Sequence, residues 1–308
     1  MNQTNVKGIK SGMVHGRKSA VEWIFDSLNL ILILLAFAVF LYPFWNQLVL
    51  SFNVGTDAAK GGIYFWPRKF SLDNYTYVLG VTHFFRSVLY SILRVVVGTF
   101  GNLFCCGLLG YVLAQKSFSG SRFMRTVTVL SMYIPIGLIP IYVLYSNLKL
   151  LDSFTVYWLP GLITGWNVLM ITSFVESQPV ALFESARLDG ASELTVFTRI
   201  VFPICKPVFA ALAIITAVNH WNSWFDVLVY NPSGNFDTLQ MVLQRLLIKA
   251  DIAKDLMNQN NNPESYKLLT PITIRAATTM IVTIPIAAVY PFFQRYFVGG
   301  LSLGAVKG

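Results

Sequence analysis

Charge is what this 308-residue chain has least of. Asp, Glu, Lys and Arg make up 12% of it, and hydrophobic residues reach 55%; an ordinary soluble domain is about 25% charged. A soluble fold would have to hide several apolar runs of about 20 residues in one core, whereas a bilayer with a hydrocarbon thickness of about 30 Å asks for runs of that length. Histidine is scarce too: His15, His83 and His220 lie in three separate regions, which leaves no recognisable zinc cluster or hydrolytic triad. The three cysteines, two of them the adjacent Cys105 and Cys106 within an apolar run, have neither metal spacing nor the pattern of a disulfide framework. They read as small buried apolar residues. No GxxxxGK(S/T) phosphate loop occurs, so the chain does not bind ATP by that device. The formal net charge is +9, yet the 23 Lys and Arg residues are scattered between apolar segments. Without a basic stripe, nucleic acid is not an expected partner.

What is present is a series of long apolar segments. Six suit membrane-crossing helices: Leu28 to Leu50, Ser87 to Ala114, Thr126 to Tyr145, Thr155 to Val175, Pro207 to Val229 and Ile274 to Phe293. Pro135, Pro140, Pro160 with Gly161, and Pro285 fall inside them, a pattern tolerated when neighbouring helices re-satisfy the freed backbone groups. The expected fold is therefore an all-α integral membrane bundle. The first apolar run follows Lys7, Lys10, Arg17 and Lys18 and reads as a retained span rather than a cleaved signal. With the amino end inside, twelve Lys and Arg residues flank the spans inside and ten outside. That bias alone does not fix orientation.

The connecting segments divide accordingly. Residues 1–27 form an amino-terminal segment, 176–206 an inner loop, 53–83 and 230–273 two outer loops, and 295–308 a tail. The first outer loop carries Tyr64, Phe65 and Trp66, which suit the membrane interface. The second begins with the turn-like NPSGN and continues with Leu239, Val242, Leu243, Leu246, Leu247 and Ala250 at helical spacing, predicting an amphipathic helix. Met257 to Tyr266 is polar and contains Pro263, as in an exposed loop. A carrier driven by protons or sodium needs ionisable groups in its spans, often carboxylates. Here the only carboxylate in the six spans is Asp226, near the outer end of the fifth.

The inner loop is the most hydrophilic part of the middle of the chain. Pro179 to Leu188 and Ala191 to Val201 suit two short helices separated by Gly190, which permits a left-handed turn. Leu194, Phe197, Ile200 and Val201 fall on one face of the second helix. By itself this describes an amphipathic connector. Its spacing adds more: Glu184-Ser185-Ala186, three residues, Gly190, nine residues, Ile200, one residue, Phe202-Pro203. That resembles the EAA signature of ABC importer permeases, with Ser185 in place of Ala and Phe202 in place of Leu. IPIGLIPIYVLYSNLKLLDS, ARLDGAS, VNHWNSWFDVL and the tail PFFQRYFVGGLSLGAVKG are similar to the carbohydrate, maltose-type branch.

The resemblance implies a type I importer permease fold with both termini cytoplasmic. The inner loop becomes a coupling element that inserts into a separate ATPase, with Glu184 as its polar contact, Ala186 at a close approach, Gly190 as its turn, and Ser185, Asp189, Ile200 and Pro203 completing the motif. It further implies a bacterial cytoplasmic membrane, a second related permease, two ATPase subunits that hold ATP and Mg, and an extracellular sugar-binding protein. No cofactor or metal belongs to this chain. Residues Gly304 to Gly308 become a second ATPase contact, and Met257 to Tyr266 occupies the place of a loop that reaches into the binding protein.

Sugar sites combine aromatic faces with hydrogen-bonding amides. Asn219, Trp221, Asn222 and Trp224, with Trp166 and Asn167, are the candidates for a substrate path. The tryptophans serve equally as interfacial anchors, and the asparagines as interhelical hydrogen bonders. Arg94 is a full charge well inside a span, with no acid expected at its depth. It either snorkels outward or lines the cavity and attracts an acidic sugar such as a uronate.

Overall fold

The computed structural model describes residues 20–259 and 270–305. Among them every element is helical apart from one antiparallel bridge between Asn53 and Phe70. In chain order the helices are α1 (Ala20–Ser51), α2 (Gly55–Ala58), α3 (Asp73–Leu79), α4 (Phe84–Ala114), α5 (Ser121–Tyr133), α6 (Leu138–Asn147), α7 (Gly165–Glu176), α8 (Ala181–Leu188), α9 (Glu193–Val196), α10 (Phe202–Ile204), α11 (Lys206–Asn222), α12 (Phe225–Tyr230), α13 (Leu239–Gln259) and α14 (Pro271–Ala305). A 3-10 turn, Phe154–Tyr157, precedes α7, and a π-helical turn, Phe197–Val201, joins α9 to α10. Lys7, Lys10, Arg17 and Lys18, all of the expected loop Met257 to Tyr266 except its first three residues, which end α13, and the last three residues of the tail lie outside the described residues.

The pattern of α4 explains why it sits at the centre. Its buried positions Ser87, Ser91, Arg94, Gly98, Asn102, Cys106 and Gly110 recur at helical spacing, while Phe85, Leu89, Ile92, Val96, Phe100 and Phe104 are exposed. This inverts a soluble helix: small and polar side chains face inward and large apolar ones face outward. In lipid the outward face costs nothing, and small inward residues let neighbouring backbones come close. At Gly98 an added Cβ would run into the His220 ring of α11, with Cε1 at 2.7 Å, and at Gly110 it would meet Ile171 of α7 at 2.9 Å. From Leu28 to Leu35 of α1 every large hydrophobic side chain is more than half exposed, an arrangement that only lipid or another subunit can stabilise.

Among the described residues three helices are long and apolar enough to cross a bilayer, namely α1, α4 and the Pro271–Val289 part of α14, or five segments if each of two bent pairs is one span. The helix that contains the first expected span is α1, Ala20–Ser51. The third is broken, since α5 and α6 meet at 116°. Pro135 lies in the break, lacking an N–H and disfavouring a helical residue before it. The pair still runs from one end of the bundle to the other. Ser121 donates to Leu113 O at the Ala114 end of α4 (2.7 Å), and Tyr145 packs edge-on against Tyr230, with ring centroids 5.1 Å apart. The fourth expected span, Thr155 to Val175, is not a continuous helix: the 3-10 turn gives way to unwound chain around Pro160 and Gly161, and α7 occupies only its last part. The fifth stops at Asn222, where extended Ser223 separates it from α12.

Opposite ends of α4 anchor opposite ends of the bundle. The Phe84 end meets α13, where Ser91 Oγ accepts from Leu239 N–H at 2.8 Å, and Leu239, Leu243 and Leu246 pack with Val78, Phe84, Ile274 and Ala277. The amphipathic helix expected there is α13. At the Ala114 end Tyr111, Leu113, Val168, Ile171, Val175 and Phe209 form the main core. Glu193–Ile204 meets α11 at 81°, so the inner loop lies across this end of the bundle instead of continuing along it.

Candidate functional site

The inner loop folds as its sequence asks. Helix α8 ends at Leu188, and Gly190 follows with φ +81. Its N–H donates to Arg187 O and that of Ala191 donates to Ala186 O, both at 3.0 Å, so orphaned carbonyls at the helix end are satisfied through a left-handed turn. An added Cβ at Gly190 meets nothing within 4 Å. The glycine is therefore required for its backbone angle and not for space. Ser192 then caps α9, its Oγ accepting from Thr195 N–H at 3.3 Å. Pro203 is accommodated because the π-helical turn Phe197–Val201 directly before α10 widens the helix where a proline ring would clash.

That widened turn also changes which residues are inside. Phe197 and Val201 are buried and Ile200 half-buried, as expected, but Leu194 is 60% exposed and Val196 takes its place in the core. A face counted at regular helical spacing loses its phase across a π turn. Phe183, Val196, Phe197 and Val201 fasten the loop to α4, α7 and α11, with Ala186 half-buried against the same core. Glu184, Ser185, Asp189 and Pro203 are exposed. Ser185 returns its hydroxyl to Leu182 O at 3.3 Å, so replacing alanine there leaves no unpaired group. Leu188, at the loop tip, is 89% exposed. Glu184 makes no side-chain hydrogen bond or ion pair among the described residues.

Behind this outward face lies a polar staple that the sequence did not reveal. Arg187 donates to Glu193 Oε1 at 2.8 Å, to Gln115 Oε1 at 2.6 Å and to the Tyr111 hydroxyl at 3.4 Å; the Tyr111 hydroxyl in turn donates to Glu193. Arg187, then the Tyr111 hydroxyl, hold the Glu193 carboxyl below its ordinary value, and Glu193 raises the Arg187 guanidinium. The staple ties α8, α9 and the end of α4 into one unit. Arg187 and Glu193 stand six apart, a spacing no single helix pairs; only the turn at Gly190 brings them together. The available signal was an acidic residue in the first turn after a cap serine.

The proposed substrate-path residues separate into two groups. Arg94 neither snorkels nor waits for an anion. Its guanidinium is ion-paired with Asp226 of α12 through Nη2, donates from Nη1 to Oδ1 at 3.2 Å, and lies 5.0 Å over the Tyr157 ring. The expectation that no acid stood at its depth fails because the chain breaks at Ser223, so Asp226 is not displaced outward as it would be on a straight helix. Asn167 is buried and internal, donating to Asn102 Oδ1 at 2.6 Å and Thr216 Oγ1 at 3.2 Å. Asn102 donates to Gly161 O at 2.7 Å. Trp221 donates to Val282 O of α14 at 3.3 Å, and Trp224 packs with the cluster of Tyr157, Val227 and Tyr230. Arg94, Asn167, Trp221 and Trp224 are thus each engaged within the bundle in this structure.

Trp166, Asn219 and Asn222 remain outward-facing. Ile215, Asn219 and Asn222 share one exposed face of α11 at spacings of four and three. Asn222 Oδ1 accepts from Gln240 at 3.3 Å. Polar side chains on a helix at membrane depth face protein or a wet cavity rather than lipid. Among the described residues no three His, Cys, Asp or Glu side chains group as metal ligands.

A family model described as "Binding-protein-dependent transport system inner membrane component" matches residues 107–302, which include the whole inner loop, α7 and α11. The chain belongs to this family. Protein LplC of Bacillus subtilis (strain 168) is 36% identical over 92% of this chain and 95% of its own length. The permease protein YtcP of the same organism, named for a polygalacturonan/rhamnogalacturonan transport system, is 29% identical over 92% of this chain and 99% of its own. The fold matches a crystal structure of a bacterial ABC transporter involved in the import of the acidic polysaccharide alginate, with a TM-score of 0.77 and 24% identity over 91% of this chain and 99% of the other. As an inner-membrane component of a binding-protein-dependent system, this family member presents its left-handed turn, Gly190, at the end of the bundle to which α7 and α11 both lead.

Proposed function

We propose that this chain is one of two permease subunits of an ATP-driven carbohydrate importer and that it works by alternating access. The carrying observation is the inner loop: its left-handed turn at Gly190 presents Glu184 and Leu188 outward while the Arg187 staple fixes the loop's other side to α4. An exposed leucine beside an unpaired carboxylate is what a groove on a partner requires, an apolar anchor with a charged rim. Two ATPase subunits hold ATP and Mg. Their closure moves the loop, and the staple and the Phe183–Phe197 packing carry that movement to α4, α7 and α11. The names of the relatives support carbohydrate as cargo. In this reading the chain crosses the bacterial cytoplasmic membrane six times with both termini inside. A second permease covers the exposed face of α11, so that Asn219, Asn222 and Trp166 border the path between them, and an external binding protein delivers the sugar.

The test is to purify the chain with its candidate partners and measure ATPase stimulation by binding proteins loaded with saccharides, amino acids or peptides. Saccharide-loaded proteins should stimulate, and Glu184→Lys should weaken capture of the ATPase by about ten-fold or more, as expected for a lost interfacial charge contact. Stimulation confined to amino-acid- or peptide-loaded proteins, or unchanged ATPase capture by the variant, would overturn the respective half of the reading.

A further inference from the structure

Where the Phe84 end of α4 meets α13 and the segment 231–238, a cavity of about 330 Å³ opens, lined by Arg86, Tyr90, Asn235, Asp237, Arg245 and Lys249 among others. Its volume is at the small end of ligand sites. It lies at the opposite end of α4 from the inner loop, hence on the external side. Its acid is already used: Asp237 pairs with Arg245 at 2.8 Å and accepts from Asn231 at 3.1 Å. Two further cations make no direct ion pair with it. Arg86 donates to Asn235 O and to the Tyr90 hydroxyl at 3.3 Å, and its guanidinium lies 5.3 Å over the Tyr90 ring, but among the described residues no carboxylate meets it. Lys249 is exposed and has no ion-pair or hydrogen-bond partner among the described residues.

The contrast with Arg94 decides where an anion is favoured. Arg94 is matched within the chain, so an incoming carboxylate gains little from it. Arg86 reaches Asp237 only through space and Lys249 meets no carboxylate, so around this concave, water-reachable space three cations face one acid, and such an excess favours carboxylate oxygens. The same space supplies neutral partners. Ser87 and Ser233 also line it, and Tyr90, packed against Phe154 and Phe236 at ring-centroid distances of 5.9 and 5.4 Å, lends it an apolar wall. Charge, neutral polar partners and an aromatic wall together fit a carboxylated sugar better than a bare anion.

We infer that this outer pocket is a subsite for carboxylated sugar units, met before the path between the permeases. The inference rests on the carbohydrate reading above and names its substrate class. The test uses the assembled transporter in nanodiscs without binding protein, titrated calorimetrically with trigalacturonate and, separately, maltotriose. Lys249→Gln should weaken trigalacturonate binding by about ten-fold, the worth of one charge-assisted hydrogen bond, and change maltotriose binding much less. The wild-type preference should shrink as salt screens the exposed charges. Arg86→Gln should act in the same direction, and if it fails to assemble, the partner-free Lys249 still decides the matter. The proposal is overturned if the wild type does not bind trigalacturonate, if Lys249→Gln binds it equally well, or if both sugars lose equally. It is also overturned if the variant loses only capture of the binding protein, since the pocket is then a seat for that protein. Stimulation of the wild-type ATPase by a saccharide-loaded binding protein separates these failures from failure of the carbohydrate reading itself.

Discussion

Removing Asp226 should cost more than removing the arginine it pairs with. Arg94 has a side chain only 4% exposed, against 26% for Asp226, and its Nε already lacks a partner. Asp226→Ala strands that guanidinium in the bundle, with only the Tyr157 face beside it. Breaking a buried pair from one side costs about 3–5 kcal/mol, and because Asp226 is partly exposed, the lower end, about 3 kcal/mol, is expected. Arg94→Met leaves the carboxylate with the Ser223 hydroxyl at 2.7 Å and the Val227 N–H at 3.0 Å, as well as access to water. About 1–2 kcal/mol is the expected cost there, the worth of a hydrogen bond to a charged group. The double variant should lie close to Arg94→Met, giving a coupling energy of about 3 kcal/mol. Denaturation of the purified complex in detergent, followed by intrinsic fluorescence, measures all three. Equal single-variant losses that simply add would refute the buried-pair argument. Preferential loss of acidic-sugar transport in Arg94→Met, without loss of stability, would restore Arg94 as a substrate residue.

Gly190→Ala should cost about 1 kcal/mol from its left-handed angle alone, and Gly190→Asn less; equal melting temperatures for all three proteins would show that the turn is not held at φ +81 in solution. Because Glu193 is held below its ordinary carboxylate value by Arg187 and Tyr111, its contribution is complete above the unfolded value and drains as pH falls through the depressed one. Protection of amides in residues 181–201, taken relative to the base-catalysed intrinsic exchange rate at each pH, should therefore fall only on the acid side, and a fall confined to alkaline pH would contradict the staple. Gly98→Ala drives a Cβ into the His220 ring, 2.7 Å from Cε1, and should destabilise by about 1–3 kcal/mol through overpacking. Truncation of His220 to Ala should relieve that loss in the double variant, and failure to do so would place the strain elsewhere.

The features legible in the sequence are those set by neighbours along the chain. Gly190 between two short helices, Ser192 as a cap, the apolar face of α13 and the lipid-length runs of α1, α4 and α14 each depend on a few adjacent residues. The features that were not legible depend on breaks in helices. Counted along a straight span, Asp226 lies too far out for Arg94, yet Ser223 redirects the chain and closes a contact between residues 132 positions apart. The π turn at Phe197–Val201 similarly exchanges Leu194 for Val196 in the core. Asn167 illustrates a different limit: an amide suited to sugar is equally suited to Asn102 and Thr216, and only the packing of α4, α7 and α11 decides between them.

The interrupted fourth segment has a mechanical consequence. Residues 158–164 carry no continuous helical ladder, and the Asn102 amide takes Gly161 O in its stead. A rod transmits displacement along its whole length, whereas an unwound stretch absorbs it by rotation about single bonds. A tilt of α7 can therefore be taken up in the unwound stretch without forcing Phe154–Tyr157 to follow, whereas α4, helical from Phe84 to Ala114, carries Arg94 along with Tyr111. The bundle thus sets a jointed fourth segment beside an unbroken α4, so bending is confined to the one segment whose backbone is already open.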